Sequence, residues 1–142
     1  MTQSLAFYIS VLRKQFTQYC FQKLADRNIT YGQLFIIIFV EKKGPCSPKE
    51  ISLALRLDAG FLNRSLSKLI ANGFLAQTKN EKDRRANIIT LTPAGRQIFE
   101  QSRRLFYDWD EAVSAHLTDS EKSQLIYLLQ KIAVQPQKEM EE

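Results

Sequence analysis

The sequence has few of the residues that catalysis and metal binding depend on. Its 142 residues include two cysteines, Cys20 and Cys46, and a single histidine, His116. The cysteines lack the CxxC spacing and have no histidine close by in the sequence, so neither a disulfide framework nor a zinc site is predicted. Paired carboxylates in a shared motif, a Ser/His/Asp set and a phosphate-binding glycine loop are also missing. We therefore expect no enzymatic activity, no cofactor and no metal.

Long apolar segments are missing as well. The longest uninterrupted apolar run is residues 34–40, whereas a membrane-spanning helix needs about 18 apolar residues. The N-terminus lacks the basic start, apolar segment and small-residue cleavage site of a secretory signal. We therefore expect a soluble, cytoplasmic protein with no membrane partner. At this length and 44% hydrophobic content, one domain over residues 1–142 is expected.

The charge is distributed unevenly along the sequence. Residues 1–46 carry a net charge of +4, residues 47–96 carry +5 and residues 97–142 carry −4. A basic first two thirds with an acidic end indicates one face made for an anionic partner. A moderately basic solvated surface is the alternative that charge alone leaves open.

Both ends of the sequence predict helices with apolar stripes. The first covers residues 4–25, and its stripe is wider than a small core can cover, so we expect a partner subunit to cover it. Thr92 and Pro93 begin a fifth predicted helix that continues through Val113. Thr118 and Glu121 form the capping box of a sixth helix, whose apolar residues are Leu125, Leu128, Leu129 and Ile132. A polar tail follows from residue 135.

The middle of the sequence predicts a helix-turn-helix. A capping box, Thr30 with Gln33, begins the second helix, which stops before Gly44-Pro45. Ser47 caps a third helix that runs to about Leu57 with Ile51, Ala54 and Leu55 facing inward. Asp58 caps a fourth helix that ends at Asn72-Gly73. Its expected inward residues are Phe61 or Leu62, Leu66, Leu69 and Ile70. Two short helices joined by about three residues are typical of a helix-turn-helix.

A β-hairpin is predicted after Gly73, where the apolar period changes. Residues 74–79 and 87–92 are short runs rich in Ile, Thr, Leu and Phe, separated by the polar residues 80–86. The hairpin tip is basic because it contains Lys79, Lys82, Arg84 and Arg85.

The fourth helix is the candidate for reading DNA, because the second helix of such a unit fits the major groove. Small residues at Ala59 and Gly60 let the helix end approach a phosphate. Asn63 and Arg64 are types that pair with adenine and guanine edges, and Ser67 and Lys68 suit phosphates. A plain solvated helix face is the alternative. The predicted contacts are Ala59, Gly60, Asn63, Arg64, Ser67 and Lys68.

The hairpin tip is the second candidate contact with DNA. An arginine inserted into a narrow minor groove gains from its negative potential, and we expect Lys82, Arg84 and Arg85 to contact DNA. Asp83 would be repelled by DNA, so we expect its carboxylate to accept hydrogen bonds from Arg85 or from tip amides and to hold the loop's shape. Arg84 is then the arginine that is available to enter the minor groove, although Arg84 and Arg85 can exchange roles.

Several of these stretches together resemble the MarR (multiple-antibiotic-resistance regulator) family. They are residues 57–66, Asn72-Gly73-Phe74-Leu75, Asp83-Arg84-Arg85 and Leu91-Thr92-Pro93-Ala94-Gly95. The resemblance implies a mainly α fold with a small β-hairpin wing: a winged helix-turn-helix over residues 30–95, helical dimerisation parts over 1–29 and 96–136, and a tail over 137–142. It implies a sequence-specific transcriptional regulator that binds a pseudo-palindromic operator as a homodimer.

The resemblance also implies repression that a small phenolic or other aromatic ligand relieves. The ligand would bind between the dimer base and the winged unit. The candidate pocket residues are Tyr8, Arg13, Tyr31, Phe35 and Trp109.

Two other functions remain as alternatives. One is a winged-helix module that binds protein instead of DNA, against which the basic hairpin tip argues. The other is a thiol-based redox sensor, since a peroxide-sensing branch of the family uses a cysteine near the start of its first helix. That position falls near Ala6 here, and Cys20 lies on the apolar stripe, where burial disfavours its thiolate.

Overall fold

The computed structural model describes residues 4–79, 81–82 and 87–134. The order of its elements is α1 (Leu5–Leu24), a short 3-10 helix (Ala25–Arg27), α2 (Tyr31–Lys43), α3 (Pro48–Leu55), α4 (Ala59–Ala71), β1 (Leu75–Lys79), β2 (Asn87–Leu91), α5 (Pro93–Val113) and α6 (Asp119–Ala133). The prediction of a mainly α fold with one β-hairpin is confirmed. The 3-10 helix was not predicted. Among the described residues, no helix has the length and apolar character to cross a membrane.

The helices begin at the predicted caps. The Thr30 hydroxyl accepts a hydrogen bond from the Gln33 amide at 3.2 Å, and the Gln33 side chain accepts one from the Thr30 amide at 3.1 Å. Thr118 and Glu121 form the same reciprocal pair at the start of α6. The Ser47 hydroxyl accepts from the Glu50 amide at 3.1 Å at the start of α3. Each cap satisfies amides that the helix leaves unpaired and is worth about 1 kcal/mol.

The chain folds as two compact units, Met1–Phe106 and Tyr107–Glu142. The core of the first unit is built around α2, in which Leu34, Ile36, Ile37 and Val40 are all buried. These residues lie on more than one face of α2, which is why the sequence shows an unbroken apolar run there and no stripe. Ile51 of α3 is also buried, but Ala54 is exposed. The expectation that Ala54 faces inward was wrong, because α3 is a short helix that buries only a narrow face.

The two strands pair antiparallel, with Leu75 opposite Leu91 and Lys79 opposite Asn87. A further bridge joins Ile89 to Cys46, the residue before the Ser47 cap. The Ile89 amide donates to the Cys46 carbonyl at 2.7 Å, and the Cys46 amide donates to the Ile89 carbonyl at 3.1 Å. The hairpin, hereafter the wing, is therefore hydrogen-bonded to the segment that starts the helix-turn-helix.

The base of the wing is fixed by contacts between the end of α4 and the start of α5. Gly73 takes a φ of +82°, and the Phe74 amide donates back to the Leu69 carbonyl at 2.9 Å, as in glycine-terminated helix ends. The Thr92 hydroxyl donates to the Gly73 carbonyl at 2.6 Å and accepts from the Gly95 amide at 3.1 Å. A Cβ on Gly95 would lie 2.1 Å from the Phe74 carbonyl oxygen. Only glycine at position 95 permits this approach.

Apolar side chains remain uncovered in the single chain at both ends. In α1, Leu5, Phe7, Tyr8 and Ile9 are each about half exposed. None of the residues of α6 is buried. Its exposed apolar side chains are Leu125, Ile126, Tyr127, Leu128, Leu129 and Ile132.

Candidate nucleic-acid interface

The turn between α3 and α4 consists of Arg56, Leu57 and Asp58, which agrees with the predicted length of about three residues. Arg56 takes the left-handed conformation with φ of 54°. The Ser52 hydroxyl donates to the Leu57 carbonyl at 2.8 Å, and the Leu57 amide donates to the Ser52 carbonyl at 3.1 Å. The Asp58 carboxylate then accepts from the Phe61 amide at 2.8 Å and caps α4. These bonds set the direction in which α4 leaves α3.

Helix α4, which the sequence predicts to enter the major groove as the recognition helix, has two distinct faces. Leu62, Ser65, Leu66 and Leu69 are buried on one of them. The predicted DNA contacts are all exposed on the other: Ala59, Gly60, Asn63, Arg64, Ser67 and Lys68. The structure therefore gathers these six residues on one solvent-facing surface, and their contact with DNA remains a prediction.

Phe61 anchors the first turn of α4 to α2. A Cβ on Gly32, in the first turn of α2, would lie 2.9 Å from Cζ of the Phe61 ring. The sequence left Phe61 and Leu62 as alternatives for the inward position. The structure buries Leu62 in the core and half-buries Phe61, whose ring rests on Gly32.

The wing carries exposed Lys79 on β1 and exposed Lys82 near the tip. The other predicted wing residues, Asp83, Arg84 and Arg85, lie outside the described residues. Their roles therefore remain as the sequence predicts them.

Known proteins with similar sequences indicate the function of this helix-turn-helix and its wing. The sequence model of the MarR family matches residues 27–86. The HTH-type transcriptional regulator BilQ of Clostridium symbiosum is 40% identical over 132 residues, which cover 93% of this chain and 92% of that protein. The multiple antibiotic resistance protein MarR of Salmonella typhimurium is 33% identical over 110 residues, 77% of this chain and 76% of that protein. The chain belongs to the MarR family.

A solved structure extends this likeness to three dimensions. The mutant MarR from E. coli complexed with operator DNA superimposes with a TM-score of 0.76 at 27% identity, covering 90% of this chain and 92% of that chain. The resemblance stated from the sequence is confirmed, and this MarR-family chain is a winged helix-turn-helix transcriptional regulator. The BilQ relative is by name a transcriptional regulator.

The candidate pocket residues fall at different places in this MarR-family fold. The rings of Tyr31 and Phe35 are in contact, with centroids 4.9 Å apart. Phe16 and Phe106, which the sequence did not single out, complete an aromatic cluster with them: the Phe16 ring lies 5.9 Å from Tyr31 and 5.4 Å from Phe106. Tyr31 and Phe35 lie four residues apart on α2, but no local period links them to Phe16 of α1 or Phe106 of α5, which is why the sequence did not group the four.

The other candidate pocket residues are Tyr8, Arg13 and Trp109. Tyr8 is half exposed on α1, with its ring against Phe7. Arg13 lines an open depression on the surface of α1. Trp109 belongs to the second compact unit.

A groove of about 970 Å³ lies between α1, the start of α2 and α4. Its walls include Phe21 of α1, Tyr31 of α2, and Phe61 and Lys68 of α4. Only Tyr31 was a candidate pocket residue. The groove is notable because one of its walls belongs to the recognition helix.

Both cysteines are buried in the structure. Burial raises the pKa of the Cys20 thiol to about 11. The pKa of Cys46 is also raised, first by burial and then by the charge of Glu50. A raised pKa lowers the thiolate fraction at every pH below it, and the thiolate is the reactive form.

We expect both thiols to be unreactive in the native protein. At pH about 8, alkylation of Cys20 by iodoacetamide should be about 100-fold slower in the folded protein than in guanidinium chloride, because its pKa is raised to about 11 from an unperturbed value of about 8.5. Alkylation of Cys46 should also be slower in the folded protein, because its pKa is raised. Mass spectrometry over time measures both rates. A cysteine that labels at the unfolded rate in the native protein would favour the redox-sensor alternative.

Proposed function

We propose that this MarR-family chain is a sequence-specific double-stranded DNA-binding repressor that acts in the cytoplasm as a homodimer. The observation that carries the proposal is the exposed polar face of α4, presented by a turn whose geometry is fixed by its own hydrogen bonds. The likeness to a MarR protein crystallised with operator DNA supports it. The basic first two thirds of the chain suit an anionic partner.

In this proposal α4 enters the major groove with its first turns towards the base edges. Asn63 and Arg64 read bases, while Ser67 and Lys68 contact phosphates. Lys82, Arg84 and Arg85 bring the wing to the minor groove, and Asp83 holds the shape of its tip. Residues 30–95 form the DNA-binding part.

The proposed dimerisation parts are residues 1–29 and 96–136, with 137–142 as a polar tail. The uncovered apolar side chains of α1 and α6 support this assignment, because water-exposed apolar stripes of this length are unfavourable. Two identical units related by a two-fold axis would bind a pseudo-palindromic site, since the symmetry of the site mirrors that of the protein.

A small phenolic or other aromatic effector is the proposed signal. The groove beside α4 supports this because its Phe21, Tyr31 and Phe61 side chains offer apolar surface and Lys68 offers a cation for a carboxylate or phenolate. An occupant would withdraw Lys68 from phosphate and press on Phe61, which anchors α4 to α2. Effector binding and DNA binding would then oppose each other.

Salt dependence tests the proposed function. Lysine and arginine displace counterions from DNA, so affinity falls with the number of phosphates contacted. A complex in which lysine and arginine side chains contact two phosphates should lose about tenfold in affinity between about 50 and about 200 mM salt. A mobility-shift titration on a duplex selected from a random DNA pool measures this. If no duplex is enriched and no salt-sensitive complex forms, the protein-binding alternative takes the place of this proposal.

Arg64→Ala is expected to remove about 1 to 3 kcal/mol of binding free energy on the selected duplex and little on a random duplex. The matched control is Arg103→Ala, which removes an exposed arginine from α5 and should leave both affinities unchanged. An equal loss on both duplexes would mean that Arg64 contacts phosphate and does not read a base.

A further inference from the structure

Three residues meet at the N-terminal end of α4. Arg64 follows Gly60 by four residues, and helical side chains lean towards the N-terminus, so the Arg64 side chain extends over the turn that contains Gly60. A Cβ placed on Gly60 would lie 3.1 Å from Nη1 of Arg64 and 3.3 Å from Oδ1 of Asp58. The guanidinium and the capping carboxylate therefore flank the point that a side chain at position 60 would occupy.

We propose that Gly60 is a positioning residue that determines base specificity through Arg64. Because Gly60 has no side chain, the Arg64 guanidinium can lie back along the first turn of α4, where it and the Asp58 carboxylate approach the same point. This is the end of α4 that faces the DNA in the proposed function, on which the inference rests. An alanine at position 60 would put its Cβ 3.1 Å from Nη1 of Arg64 and so force the guanidinium to shift.

The direction of the guanidinium matters because its donors form a rigid planar fork. Two parallel hydrogen bonds to guanine need that plane in one orientation, and a side chain already held there loses less conformational freedom on binding. The Asp58 carboxylate is itself fixed, since it accepts the Phe61 amide at 2.8 Å. Gly60 thus leaves the Arg64 guanidinium close to the helix surface at the first turn of α4.

Displacing the guanidinium should cost the fold little. The atom nearest to the added Cβ, Nη1 of Arg64, is the far end of a flexible side chain that can rotate away, and Oδ1 of Asp58 at 3.3 Å needs to give by only a few tenths of an ångström. Alanine is also a better helix former than glycine. Gly60→Ala is therefore expected to keep or raise the Tm while it weakens recognition, a combination that a merely structural role does not produce.

The test compares the full-length wild type with Gly60→Ala, Arg64→Ala and the double variant. The probes are a duplex selected by the wild type from a random pool, the same duplex changed one base pair at a time, and a random duplex. We expect Gly60→Ala to weaken binding to the selected duplex about tenfold, and to the random duplex less than twofold. It should reduce the preference for the same base pair whose recognition Arg64→Ala reduces. In the double variant, Gly60→Ala should cause no loss of affinity beyond that of Arg64→Ala alone.

Two outcomes would overturn the inference. If the losses of the two single variants multiply in the double variant, Gly60 acts independently of Arg64, for example by letting the helix approach a phosphate. If Gly60→Ala lowers the Tm and weakens both duplexes equally, its role is structural. A wild type that selects no duplex is a separate result, because it rejects the proposed function itself.

Discussion

Gly95→Ala is expected to lower the free energy of unfolding by about 3 kcal/mol. The added Cβ would lie 2.1 Å from the Phe74 carbonyl oxygen and 2.6 Å from Cδ1 of Leu91. The carbonyl belongs to the backbone and cannot rotate away, so the start of α5 must move from the end of α4. That movement also strains the two hydrogen bonds of the Thr92 hydroxyl, which join Gly73 to Gly95.

Urea denaturation measures this change, and Gly60→Ala is its matched control. Both variants replace a helical glycine with alanine, which by helix propensity alone stabilises the fold by up to about 1 kcal/mol. At position 60 the nearest atom is a flexible arginine end, whereas at position 95 it is a backbone oxygen. Equal unfolding free energies for the two variants would show that the approach of Phe74 to Gly95 is not a constraint on the fold.

The features of the fold that the sequence predicted are set by neighbouring residues. A capping box needs only the residue at the cap and the one three positions later, so Thr30 with Gln33 and Thr118 with Glu121 marked two helix starts correctly. The end of α4 at Asn72-Gly73 was predicted for the same reason. The resemblance carried by Leu91-Thr92-Pro93-Ala94-Gly95 now has a physical basis in the contacts of Thr92 and Gly95.

The features that the sequence did not predict join residues that are distant along the chain. The bridge between Cys46 and Ile89, the Phe61 ring on Gly32 and the cluster of Phe16 with Phe106 follow no local period. Which residues meet in each of these contacts depends on how the elements pack. This is why the six exposed positions of α4 were predicted individually, whereas the aromatic cluster and the groove beside α4 were not.

The second large effect is expected from α6. Leu125, Leu128, Leu129 and Ile132 follow the three- and four-residue steps of one helix face, and all four are exposed in the single chain. Burying each of them is worth about 1.5 to 3 kcal/mol. If this face is covered by a second copy of the chain, Leu128→Glu/Ile132→Glu places two carboxylates in the contact and should convert the dimer to a monomer at micromolar concentration.

Loss of the dimer should also lower the affinity for DNA, although α6 is remote in sequence from α4. In a dimer, binding of one unit holds the second near its half-site at a high effective concentration, which is worth a factor of about 100 or more. The double variant should therefore lose at least about 100-fold in affinity for a selected two-half-site duplex and keep its affinity for a single half-site. Sedimentation velocity and mobility shifts measure the two properties separately.

The control Ser123→Glu/Gln130→Glu adds the same charge to exposed polar positions of α6 and should remain dimeric. A Leu128→Glu/Ile132→Glu protein that stays dimeric with full affinity would exclude this face from the dimer contact, because two buried, unpaired carboxylates are not compatible with an intact apolar interface.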